Sequence, residues 1–275
     1  MTVTGNATEP ALLASLYKNR NLLGQFVRRD FRQRYVGSAA GWLWGVIHPA
    51  VLLACWTFVF DYLLGQGQVV TARGALTSHY TLYLLAGYLP WFLFQESVQR
   101  CSNSLVDQAA VITKTVFPSE IVAISIFLST LINHLFTLFL AIAAIVLWTG
   151  ALPWQIVALP VYMLLAGLLA VGLGWIASSL QVYLRDTVQA VQVLLTLWFW
   201  VTPIFVDEEK YPAGLRFLIS GNPLALLVRA YRELLLGGRF PSASDTGLLA
   251  VQCVTVFLVG AFFFRQLKHG FADVL

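Results

Sequence analysis

Six apolar runs constrain this chain more than any other feature: residues 42–64, 80–97, 121–148, 157–180, 188–205 and 248–264. Their lengths fit the roughly 20-residue helix that crosses a hydrocarbon core about 30 Å thick. Only 11% of the 275 residues are charged, against about 25% in a soluble domain, so the chain cannot clothe a globule in polar surface. Helices are expected throughout, because lipid leaves the edges of an open sheet without hydrogen-bond partners. The weaker alternating rhythm of a membrane β-barrel is absent. The expected fold is an all-α integral membrane protein with six transmembrane helices. The first 40 residues are too polar to hold the apolar core of a cleavable signal peptide.

These spans divide the basic residues unevenly. Eleven of the 17 lysines and arginines fall in the N-terminal segment, the 98–120 and 181–187 loops and the C-terminus, and six fall on the other side. The positive-inside bias puts both termini in the cytoplasm. Much of the excess is the stretch "RRDFRQRY", residues 28–35, just before the first apolar run. Upstream, Leu12, Leu16, Leu23, Phe26 and Val27 share one helical face, with Lys18, Arg28 and Arg29 off it and Arg20 breaking the pattern. This predicts an amphipathic helix lying in the cytoplasmic interface, or docked on a partner. Asp30 and Arg34 have the spacing of a helical ion pair. The chain therefore divides into a cytoplasmic segment, 1–41, and a membrane domain, 42–275.

Two connections are unusual. The region 206–243 is too long and too apolar for a plain loop, and the helix of about 14 residues expected within it is too short to span. Asn222 is placed to cap a helix whose first residue is Pro223, and Gly237-Gly238 ends it. Leu224, Leu227, Val228, Tyr231, Leu234 and Leu235 make one side, while Arg229, Arg232 and Glu233 interrupt the other. Arg229 and Glu233 again have pairing distance. With a short helix over Ala213–Ser220, this predicts re-entrant half-helices dipping in from outside. In the 98–120 loop a helical start fails at Phe117-Pro118, and Ser119 is placed to cap the third span.

Catalytic signals are thin. His48, His79, His134 and His269 are scattered, and the three cysteines have no metal or disulfide spacing. Asn133 and His134 form an intramembrane polar pair that suits either a functional site or interhelical hydrogen bonding. The one lysine followed by Ser or Thr is Lys114, and no phosphate-binding glycines precede it. No nucleotide, metal or other cofactor site is expected in this chain, so any ATP-driven step needs a separate ATPase. Aromatic clusters occur at Trp42/Trp44, around Trp91 and Phe94, and at Trp198/Trp200. They suit an interfacial belt, or flat faces on which sugars stack.

The order of motifs carries a resemblance. "RRDFRQRYVGSAAGWLWGVIHP" is followed by "PWFLFQESVQRCSNSLVDQAAVITKTVFPSEIV", "YLRDT", "TPIF", "NPLALLVRAYRELLLGG" and a terminal "FRQLKHGFADVL". Over nearly its whole length the chain resembles the membrane subunit of bacterial ATP-binding-cassette polysaccharide exporters, the group that exports O-antigen, teichoic acid or capsule. One position departs: Ala40 stands where the family more often has leucine. The resemblance implies a permease in the bacterial inner membrane, acting as a homodimer with two cytoplasmic ATPase subunits that use ATP and Mg. It implies export of a lipid-linked polysaccharide and no nucleic-acid partner. It assigns the lipid headgroup entrance to Arg28, Arg29, Arg32, Arg34, Tyr35 and Trp42, where guanidinium groups suit a pyrophosphate. ATPase coupling falls to the segment with Ser104, Asp107, Lys114 and Thr115. The external gate falls to Asn222, Pro223, Arg229, Tyr231, Arg232 and Glu233. A sugar conduit would draw on Trp44, Trp91, Phe94, Trp198 and Trp200. The alternatives are an exporter permease for a small solute or drug, and a membrane-embedded glycan-modifying transferase.

Overall fold

Each of the six apolar runs forms a helix in the computed structural model, which describes residues 19–65, 69–71, 74–77, 79–110, 118–206, 208, 211, 212, 214 and 216–274. Helix α1 (Arg20–Tyr35) precedes them. A 3-10 turn leads into α2 (Trp44–Trp56), which continues in π-helical geometry over Thr57–Leu63. A small antiparallel hairpin follows, β1 (Val69–Thr71) with β2 (Gly74–Thr77), in a chain that the sequence reading made wholly helical. Then come α3 (Tyr80–Asp107), α4 (Glu120–Thr149), α5 (Leu159–Tyr183) and α6 (Thr187–Val201). The last four are α7 (Arg216–Ser220), α8 (Pro223–Leu235), α9 (Ala243–Lys268) and α10 (Phe271–Val274).

Four stretches among the described residues are long and apolar enough to cross a membrane: Trp44–Leu63, Glu120–Thr149, Trp154–Tyr183 and Ala243–Lys268. The fold is thus a helical, multi-pass membrane bundle. The two remaining runs differ for physical reasons. Helix α3 runs on past Ser97 to Asp107 and carries Glu96, Arg100 and Asp107, so it is less apolar than its neighbours. It is also the middle of the bundle: Leu82, Leu89, Trp91, Leu93 and Phe94 are almost wholly buried, packed among α4, α5, α6 and α8. Helix α6 has 15 residues and stops at Val201 rather than at Phe205. Thr202 precedes Pro203 and takes the extended backbone that proline imposes on its neighbour (ψ 131°).

A close backbone approach joins α5 to α9. A Cβ on Gly260 would lie 2.2 Å from the Gly172 carbonyl oxygen, and one on Gly172 would lie 2.6 Å from that of Val256. Without a hydrophobic force between helices in lipid, such backbone contact supplies the packing.

Polar contacts tie the two ends of the bundle separately. At one end Arg100 binds Asp30, Lys268 binds Glu120 at 2.7 Å, and the Tyr183 hydroxyl donates to the Leu267 carbonyl. Acid at the start of α4 and base at the end of α9 suit the two helix dipoles. At the other end Gln155 donates to the Gly238 carbonyl, and Gln252 to that of Gly221. The segments that the charge count put on one side therefore do gather at one end. Ser119 stands at the N-cap of α4 but makes no capping hydrogen bond, because its backbone is already helical (φ −58°, ψ −20°). Leu12 and Leu16, two of the five residues of the expected amphipathic face, lie outside the described residues.

Candidate functional site

The end of α1 meets α2, α3 and α4 around a cavity of about 290 Å³, near the lower bound of ligand sites, roughly 300 Å³. Helical spacing puts its lining on three faces: Gly45, His48, Leu52 and Trp56 on α2, Leu85, Tyr88 and Phe92 on α3, and Asn133 and Thr137 on α4. Arg34 and Tyr35 close it from the end of α1 and Ser38 from just after it, and Trp44 stands at its edge, 52% exposed. The Tyr35 hydroxyl donates to Asn133 Oδ1 at 2.8 Å. Burial raises the pKa of the Tyr35 phenol, which keeps it a neutral donor. Gly45 faces this pair so closely that a Cβ there would stand 2.6 Å from Asn133 Oδ1. One wall is aromatic. Trp56 meets Tyr88 edge-on at 5.1 Å, Tyr88 stacks on Phe92 at 5.7 Å, and Phe92 stacks on His48 at 6.5 Å between ring centres.

The arginines of α1 divide into two sets. Arg28, Arg29 and Arg32 are exposed, with Arg29 lying 4.4 Å from the Phe26 ring centre. Arg34 turns inward, where Nη1 binds Glu96 Oε1 at 2.6 Å. Arg100 Nη2 binds Asp30 Oδ1 at 2.7 Å. Both arginines also donate to Thr130 Oγ1 at 3.4 Å. The expected pair between Asp30 and Arg34 gives way to these pairs with α3, since a pair within one helix is worth only about 0.2–0.5 kcal/mol. The Trp42 side chain lies outside what the structure describes.

The other expected groups separate. Ser104 is turned into the bundle and donates to the Cys101 carbonyl, while Asp107 is exposed at the end of α3 and accepts from Asn103. Lys114 and Thr115 lie outside the described residues. Helix α8 is buried on nearly all sides, the side that Arg232 and Glu233 interrupt included. Arg232 is 5% exposed, lies 3.5 Å from the Tyr83 ring centre and donates to the carbonyls of Tyr83, Pro203 and Ile204. Glu233 is buried beside it. Arg229 turns to Glu208 and to Asp245, the latter at 2.7 Å, rather than to Glu233. The Tyr231 hydroxyl meets His134 Nε2 at 3.3 Å. Asn133 and His134, neighbours in sequence, thus serve different places.

Pro223 does open α8, and Asn222 caps it by accepting from the Leu224 amide at 3.0 Å. Asn222 also accepts from the Trp198 indole and donates to Thr202, so one side chain ties α6 to α8. Asn222→Ala should cost about 2 kcal/mol, a lost cap plus buried groups left unpaired. The check is thermal unfolding in detergent, with a midpoint lower by about 5 °C.

Of the expected conduit aromatics, Trp91 and Phe94 are buried in the core against Phe199 and Trp198. Trp44 and Trp200 remain exposed. The sequence reading missed Trp56, Tyr88, Phe92 and Thr137 as cavity residues, and Glu96 and Arg100 as partners of α1. Spacing of three and four residues around His48 on α2 was the available signal. No group of three metal-ligating side chains occurs among the described residues.

Known proteins place this architecture. The sequence model of the ABC-2 type transporters matches residues 21–236. The O-antigen export system permease protein RfbA of Myxococcus xanthus is 25% identical over 264 residues, covering 95% of this chain and 98% of that protein. The protein of the same name from Klebsiella pneumoniae is 27% identical over 257 residues, 93% of this chain and 95% of its own. The polysialic acid transport protein KpsM of Escherichia coli is 20% identical over 246 residues, 88% and 92% of the two chains. The match spans α1 through α8, with the cavity inside it. The chain belongs to the ABC-2 type transporter family.

Proposed function

We propose that this chain is the permease subunit of an ATP-driven exporter of lipid-linked polysaccharide of the O-antigen kind. The observation that carries the reading is the cavity beside α1, with aromatic walls and neutral hydrogen-bonding groups, on a helix that also bears exposed arginines, in a chain similar along its length to O-antigen export permeases. Arg28, Arg29 and Arg32 offer charge to the phosphates of a lipid-linked end. Arg34 is already neutralised by Glu96. It and Tyr35, His48 and Asn133 meet a neutral part of the substrate instead, while Trp44 offers a stacking face.

In this reading all six long helices span the inner membrane with both termini in the cytoplasm, α3 and α6 being shielded from lipid by the bundle or by a second copy. Helices α7 and α8 form a re-entrant pair on the external side, where Asn222, Pro223, Arg229, Tyr231, Arg232 and Glu233 hold a gate. Two copies work with two ATPase subunits, which dock on the segment from Ser104 to Thr115. Its first residues, Ser104 to Asp107, form the last turn of α3.

The test is export in cells whose own copy has been deleted. Arg28→Gln with Arg29→Gln and Arg32→Gln should lower surface polymer by about tenfold at unchanged protein level, the effect of lost charge-assisted phosphate contacts. Full surface polymer in the triple variant would remove the phosphate role. Loss of a small solute's efflux, with polymer intact, would favour the small-solute reading.

A further inference from the structure

Two ion pairs join α1 to α3 with a sign pattern that allows only one register. Asp30 and Arg34 are four apart on α1, and Glu96 and Arg100 are four apart on α3. Asp30 meets Arg100 and Arg34 meets Glu96, so the rungs run in opposite chain directions. Slide α1 by one turn in one direction and Arg34 faces Arg100. Slide it the other way and Asp30 faces Glu96. Either slip sets like charges against each other in a place where both pairs are mostly out of solvent, their side chains 14–28% exposed. Asp30 Oδ2, Glu96 Oε2 and Arg34 Nε are buried without another hydrogen bond among the described residues. These charges depend on each other, and an unpaired one would be left desolvated. Thr130 of α4 touches both arginines and ties a third helix at the same level.

We propose that this ladder locks α1 to α3 so that they move as one body, and that Asp30 and Arg100 are positioning residues for energy coupling. Helix α3 leads at Asp107 into the segment on which the ATPase docks, and the same helix lines the cavity with Leu85, Tyr88 and Phe92. Arg34, on the locked helix, lines the cavity from the other side. A push at the end of α3 therefore reaches both walls together rather than being lost as sliding of α1. The inference rests on the proposed docking of an ATPase on the segment from Ser104 to Thr115 and on nothing about the nature of the cargo.

Asp30 and Arg100 do not line the cavity, so they carry the test. In the complete complex with its ATPase, Asp30→Arg and Arg100→Asp should each lower export per ATP hydrolysed by about tenfold, while ATPase binding and turnover persist. The exchange Asp30→Arg with Arg100→Asp restores the pair and should recover most of the export, as coupled charges do. Should either reversal fail to accumulate, Asp30→Asn and Arg100→Gln replace it in the same comparison. A distance between spin labels at the exposed Gln25 and at the half-buried Gln99 of α3, ahead of the docking segment, with Cys55 replaced by serine, reads the lock directly and needs no cargo. It should stay constant with and without ATP, and broaden in the single reversals. Normal coupling in the single variants, no recovery in a well-expressed exchange, or an ATP-driven change of label distance beyond about 5 Å, one turn of helix, would each overturn the proposal. Absence of polymer export by the unaltered complex would instead sink the cargo reading and leave the label distance to decide this one.

Discussion

Gly260→Leu should abolish accumulation of the folded protein. At this crossing α9 lies on α5 backbone to backbone, and any Cβ on Gly260 would lie 2.2 Å from the Gly172 carbonyl oxygen. The obstacle is main chain, so no rotamer change relieves it, and the two helices must separate along a contact that helps bury Leu249 and Cys253. Overpacking with displaced backbone costs about 3 kcal/mol or more, a large part of the roughly 5–15 kcal/mol that holds a domain together. Even Gly260→Ala should be clearly destabilising. Gly247→Ala on the same helix is the control, since nothing lies within 4 Å of a Cβ there. It should be neutral or stabilising by about 0.5 kcal/mol through helix propensity alone. Membrane-fraction levels and the elution profile in detergent distinguish the three. Equal levels for Gly260→Leu and Gly247→Ala would disprove the close crossing.

Arg232→Ala should be the most damaging change in the region between α6 and α9. Its guanidinium is the shared partner of the Pro203 and Ile204 carbonyls, at 2.8 and 2.6 Å, and it packs on the Tyr83 ring. Truncation strands those acceptors inside the protein, at about 1–3 kcal/mol for each unsatisfied group. A loss of about 4 kcal/mol in all corresponds to a melting midpoint lower by about 10 °C. Arg232→Lys should recover little, because one ammonium cannot reproduce the planar fork. Gly87 belongs to the same site: a Cβ there would stand 2.6 Å from Arg232 Nη2. Gly87→Val should therefore lower the midpoint in the same direction and should not add fully to Arg232→Ala.

Much of this fold was legible because hydrophobic length and turn chemistry are local signals. The six helices sit where the apolar runs are, and Asn222-Pro223 opens α8 as its capping residues require. Contacts among the described residues also join the N-terminal segment, the ends of α3 and α5, the start of α4 and the end of α9, segments that the basic count put on one side. Tertiary competition was not legible. Asp30 with Arg34, and Arg229 with Glu233, have the right spacing within their helices, yet each found partners on other elements. Spacing reports only what one helix offers itself. In α8 the sequence shows only that charges interrupt one side, whereas Arg232 is satisfied by carbonyls freed where Pro203 ends α6. That acceptor set exists only after folding. The same limit applies to the site. Arg34, Tyr35 and Trp44 came from the sequence, but the α3 and α4 walls facing them are distant in the chain.

Energy-driven export of a lipid-linked glycan is tested most directly by reconstitution. The chain and its ATPase, purified together into sealed proteoliposomes loaded with a lipid-linked polysaccharide, should move glycan to the opposite face only when ATP and Mg are supplied on the ATPase side. Movement should stop when the ATPase cannot hydrolyse ATP. Glycan that crosses equally without ATP, or a chain that binds no ATPase and moves no glycan, would contradict the account.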